Sequence, residues 1–122
     1  NLEHCINRKE TLIAMLNAVK PGGSIYLSFP CEESVNFPSR KGTLNYYDDE
    51  THNENPPKLE WVIDQLNGAN FTITKLEPNH QPKVINLIGF LLEPISRLTK
   101  KLLPGTWEYY GFETIIWAKK SF

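Results

Sequence analysis

A chain of 122 residues with a formal net charge of −1 fits one domain or the rear half of a larger one, and its charge gives no reason to expect nucleic acid or an anionic membrane. With 40% hydrophobic and 11% aromatic residues it can bury a core, which excludes a compositionally disordered chain. No apolar run approaches the roughly 18 residues of a membrane span, no signal peptide is visible, and Cys5 and Cys31 lack metal-type spacing, so a reduced, cytoplasmic setting is expected. Asn1 rather than a methionine stands first, and the chain is expected to begin inside a longer protein.

In chain order, the first helix is predicted over residues 8–19. Asn7 is placed to cap it, with Glu10 three residues later, and Leu12, Leu16 and Val19 form its buried face. Lys20-Pro21-Gly22-Gly23 ends the helix, since proline cannot continue it and glycine accepts a left-handed turn. A strand follows over 24–29, with Ile25, Leu27 and Phe29 on one face. Residues 30–56 read as a long polar loop, the kind that is usually functional. A second helix starts near Pro57, runs through Leu59, Val62, Ile63 and Leu66, and ends at Asn67-Gly68. Residues 71–76 then alternate as a strand.

Between that strand and the last lies an insertion, residues 81–107. Val84, Ile88, Leu91, Ile95, Leu98 and Leu102 recur at helical spacing as an apolar stripe, widened by Leu87 and Leu92. Pro94 is expected to kink or split this helix, and Arg97, Lys100 and Lys101 make its second half basic. Packing on the sheet, or closure over a pocket, is expected ahead of membrane contact. The final strand, 111–119, is apolar on both faces and belongs at the centre of a sheet.

Three short motifs stand in order along this frame: Leu2-Glu3-His4, Lys20-Pro21-Gly22-Gly23 and Gly68-Ala69-Asn70-Phe71. Together they resemble the second half of a class I methyltransferase that uses S-adenosylmethionine (SAM). The third departs from the family's usual Gly-Phe, since here phenylalanine comes three residues after glycine. The resemblance implies an α/β chain with part of a Rossmann-like sheet: strands five, seven and six, with strand seven antiparallel between the others and helices on the flanks. It also implies that the glycine-rich cofactor loop lies upstream, so that these residues alone are inactive. Strand five is then left without its neighbour, an edge open to self-association.

The same resemblance assigns roles. Leu2 and Glu3 border the SAM cofactor, while Glu3 and His4 are the catalytic candidates, His4 as a base or as a group that orients the acceptor. The alternative for Glu3 and His4 is anchoring of the first helix. Phe37-Pro38-Ser39-Arg40, Leu44-Asn45-Tyr46-Tyr47-Asp48-Asp49 and Thr51-His52 look like a subgroup that acts on small molecules or cell-surface sugar precursors. Arg40, Tyr46, Tyr47 and His52 then shape the pocket for a small-molecule acceptor. No metal is expected in the main reading. A rarer one joins Glu3, His4 and His52 as a divalent-metal site, after the Glu-x-x-Glu-His pattern of some related methyltransferases. Asp48 to Glu50 are expected to form an exposed acidic turn, His80 to lie at the surface, and both cysteines to be small buried residues rather than nucleophiles. The competing reading of the whole is a non-catalytic α/β interaction module that docks through the amphipathic helix 83–103.

Overall fold

The structure, a computed structural model, describes residues 2–5, 7–52 and 54–122, and of Leu2 the backbone only. Helix α1 spans Arg8–Ala18, followed by strand β1 (Ser24–Pro30), helix α2 (Leu59–Gly68) and strand β2 (Phe71–Glu77). Helices α3 (Lys83–Thr99) and α4 (Thr106–Tyr110) fill the insertion, and β3 (Glu113–Lys120) closes the chain. The result is an α/β fold with a small open sheet of three strands flanked by helices.

The sheet order is β1-β3-β2, with β3 antiparallel to both neighbours. The last strand is therefore central, as its two apolar faces require. Thr114, Ile116 and Ala118 turn to the helices, where Ile116 pairs across to Leu27 on one side and Leu76 on the other. Leu12 and Leu16 of α1 and Val62 and Leu66 of α2 close on this face with Leu27, Phe29 and Phe71 to form the core. On the opposite face Tyr26 and Trp117 lie 4.7 Å apart, ring to ring, and both are exposed. The second edge of β1 pairs with no strand among the described residues.

Local details depart from the sequence reading in instructive ways. Asn7 precedes α1 but its side chain makes no capping bond; its backbone (φ −107°, ψ 71°) falls short of the extended conformation that aims an N-cap side chain at the first turn. Val19 leaves the helix in an extended conformation, and Gly22, at φ +80°, turns the chain so that its N–H reaches Lys120 O at 2.9 Å. The polar loop is ordered from within. It holds two short 3₁₀ turns, Glu32–Asn36 and Tyr46–Asp48, and buries Leu44 and Tyr46 completely. Asn45 organises it, donating to Val35 O (2.9 Å) and Phe37 O (2.7 Å) while accepting from Tyr47 N–H (2.9 Å). Asp48 is correspondingly half-buried rather than part of an exposed turn, and accepts from the N–H groups of Arg40 and Asn45, each at 3.1 Å. His80 is also half-buried, tied to the Glu77 carboxylate and to Glu113 O.

The insertion departs furthest from the sequence expectation. Helix α3 runs unbroken through Pro94, which is exposed, so the bond its ring removes faces outward. The apolar stripe faces outward too: Val84, Leu87, Ile88, Leu91, Ile95 and Leu98 are all exposed, and Gly89, Glu93 and Ser96 are buried instead. Two contacts impose this rotation. Gly89 meets Gly105 backbone to backbone, so close that a Cβ on Gly89 would stand 2.0 Å from Gly105 O. Glu93 and Ser96 are drawn inward by Arg40. Alanine at position 89 gains at most about 1 kcal/mol of helix propensity, whereas forcing a methyl group into backbone costs about 1–3 kcal/mol. Gly89→Ala is therefore expected to destabilise the protein, read as a lower urea midpoint with unchanged slope.

Candidate functional site

The 3₁₀ turn Leu2–His4 lies beside β1 and meets the loop that ends at His52. His52 is buried, with its ring stacked on Tyr46 at 4.2 Å between centroids and 15° between planes. Its Nδ1 lies 2.5 Å from Tyr46 O. A carbonyl only accepts, so Nδ1 carries the proton and Nε2 presents a lone pair. That Nε2 is buried and has no hydrogen-bond partner; the nearest charged oxygen, Asp49 Oδ2, is 3.7 Å away.

His4 is fixed in a similar way. Its Nδ1 is 2.7 Å from Thr51 Oγ1, and that hydroxyl already donates to Asp49 Oδ1 at 2.6 Å. The hydroxyl therefore accepts from His4, which leaves His4 Nε2 as a second lone pair. It faces Glu3 Oε1 at 3.5 Å. The other carboxylate oxygen, Glu3 Oε2, is buried without a hydrogen-bond partner. One ligand atom from each of Glu3, His4 and His52 lies within 4.8 Å of the others. With both rings neutral, three acceptors converge here with no donor between them, and each orphaned buried atom costs about 1–3 kcal/mol. A cation among them removes both penalties. Carboxylate with two imidazoles is a donor set suited to a first-row divalent metal.

The surroundings hold this arrangement in place. The Thr51 hydroxyl and N–H keep the Asp49 carboxyl below the usual carboxylate range, so that Asp49 is a fixed anion beside both histidines. Arg8, at the start of α1, donates to Tyr46 Oη (2.9 Å), Glu3 O (3.3 Å) and Asn55 O. Burial pushes the Tyr46 phenol upward, so it stays neutral and serves as an acceptor for Arg8 and a stacking plate for His52. Arg8 also lines an open cleft of about 670 Å³ with Asn55, Pro57, Lys58 and Trp61. Glu3, His4 and His52 are not among the residues that line the cleft; Arg8 is the link between the two.

Of the residues singled out from sequence, Glu3, His4, Tyr46 and His52 come together here. The side chain of Leu2 lies outside the described residues. Tyr47 is exposed, with its hydroxyl on Asn55 beside the cleft. Arg40 is elsewhere. Its guanidinium is buried and spent on Glu93 (2.9 and 2.7 Å), Ser96 Oγ (2.9 Å) and Tyr110 Oη (3.2 Å), so it anchors the insertion and is not free to hold an acceptor. Cys31 is buried as expected, its thiol pushed up to about 12 by burial with Glu33 adding to the effect, which leaves it without nucleophilic character at neutral pH. Arg8 lies in no motif, and Asp49 and Thr51, though they stand in the quoted segments, were not legible as site residues, because their roles lie in what they brace. Neither a family model nor a curated protein matches the chain.

Proposed function

We propose that the chain is the C-terminal portion of a SAM-dependent methyltransferase with a small-molecule acceptor, and that Glu3, His4 and His52 hold a divalent cation beside the acceptor. The observation that carries this reading is the pair of buried, unpartnered atoms, Glu3 Oε2 and His52 Nε2, converging with His4 in the segment that resembles the family's active-site border. The sheet supports it further, since a central antiparallel strand between β1 and β2 is the arrangement a partial Rossmann-like sheet of this kind requires. The cytoplasmic setting read from the sequence is part of the same proposal; no described helix is long and apolar enough to cross a membrane.

Methyl transfer from a sulfonium is an in-line displacement, so the protein's main task is to align two reactants and exclude water. A cation on Glu3, His4 and His52 would supply polarisation of an acceptor oxygen and ease its loss of a proton. The residues of the chain do the rest. Tyr46 and its carbonyl fix the plane and tautomer of His52, and Thr51 does the same for His4. Arg8 holds the Glu3 backbone against Tyr46, and by the resemblance Leu2-Glu3 would border the cofactor. Tyr47 and the cleft next to Arg8 would receive the body of the acceptor.

The test is methyl transfer from SAM by the intact protein to a panel of hydroxylated small molecules, with and without chelator. Transfer should be lost on chelation, restored by manganese or zinc, and reduced at least about 100-fold by His52→Ala. Transfer insensitive to both chelator and His52→Ala would refute the metal, and absence of SAM binding would refute the methyltransferase.

A further inference from the structure

Helix α3 is inside out. Leu98 is 84% exposed, Val84 73%, Leu91 64%, Leu87 56% and Ile95 52%, while its buried residues are Gly89, Glu93 and Ser96. A contiguous exposed apolar stripe of this kind marks an interaction surface. The charge around it says for what. Residues 81–107 carry Lys83, Arg97, Lys100 and Lys101 and a single acid, Glu93, which is buried on Arg40. Lys41 joins the cluster at the C-terminal end of α3, its N–H bonded to Lys100 O at 2.9 Å. Arg97 lies 3.9 Å from Glu93, but Lys41, Lys83, Lys100 and Lys101 make no ion pair among the described residues.

We propose that α3 is an interfacial helix that lies in the surface of an anionic lipid bilayer, its apolar stripe among the acyl chains and its lysines on the headgroups. An apolar face on a helix whose own exposed charges, Lys83 and Arg97, are basic is the pattern such helices share (the next acid, Glu108, is half-buried on α4), and α3 is too short and polar on its inner face to cross a bilayer. A second copy of the chain fits the surface less well. Two stripes packed about a two-fold axis would bring the two sets of lysines into the same neighbourhood, with no exposed acid on the segment to answer them. Anionic headgroups answer them directly. The inference stands on the geometry of the insertion and does not depend on the methyl-transfer reading.

The experiment is flotation of the intact protein with vesicles of pure phosphatidylcholine and of phosphatidylcholine with phosphatidylglycerol, about three to one. Partition should favour the anionic vesicles and weaken with salt. Leu91→Glu combined with Leu98→Glu should lower it at least about tenfold, and Lys100→Gln with Lys101→Gln about tenfold. All four side chains are exposed, so the variants keep the native far-UV circular dichroism. A parallel measurement labels Leu98→Cys with a water-soluble maleimide, which should react readily without vesicles and slowly with them. Equal partition to both vesicle types, or none, overturns the proposal. So does a Leu98→Cys thiol already protected without lipid, which would mean that another part of the protein or a second copy covers the stripe.

Discussion

Glu93→Ala is expected to destabilise the protein by about 3–5 kcal/mol, because it strands the buried Arg40 guanidinium without its counter-charge. Both side chains are almost wholly buried, and their contact is bidentate, with Glu93 accepting from both guanidinium nitrogens and from the Tyr110 hydroxyl at 2.7 Å. Removing one partner is costlier than removing both: Arg40→Met with Glu93→Leu should lie within about 1–2 kcal/mol of the native protein. Urea unfolding at neutral pH compares the two. Acid separates them as well. Burial pulls the Glu93 carboxyl upward, but hydrogen bonds from Arg40 and Tyr110 outweigh it and hold the carboxyl below its ordinary value. A depressed folded-state pKa means that this contribution is whole above the ordinary carboxylate range and drains away as pH falls through the lower folded value. The native protein should therefore lose stability below about pH 4 more steeply than the Arg40→Met, Glu93→Leu double variant. A Glu93→Ala cost under about 1 kcal/mol would mean that water reaches the pair.

Manganese or zinc is expected to bind the native protein, with Glu3→Gln or His52→Ala weakening binding at least about 100-fold in calorimetric titration. Glu3→Gln nearly preserves shape and removes the anion, so it separates ligation from packing. Binding should raise the unfolding temperature and weaken on acidification, since carboxylate and imidazole must shed protons to ligate. The stabilisation should also disappear in Glu3→Gln without any loss of secondary structure. Titrations that do not distinguish the native protein from Glu3→Gln would leave a shared proton, not a metal, as the cation that reconciles Glu3 with His4 and His52.

The helix α1, helix α2 and all three strands were readable from residue order to within a residue or two, because alternation and 3.6-residue periodicity are local properties of the backbone. The central place of β3 was expected from its two apolar faces, although on the face away from the helices Trp117 stays exposed. The Glu3, His4 and His52 grouping was reached through the family resemblance and not through spacing; the lone pairs aimed at one another became evident only when Thr51 and Tyr46 were seen to take up both Nδ1 protons. The orientation of α3 was not readable at all. Periodicity shows that a helix has an apolar face, but which face turns inward depends on partners remote in the chain: Arg40, 53 residues before Glu93, and Gly105, whose backbone only Gly89 can approach. A hydrophobic stripe packs inward only when nothing pulls harder, and a desolvated ion pair with a backbone-to-backbone contact pulls harder here.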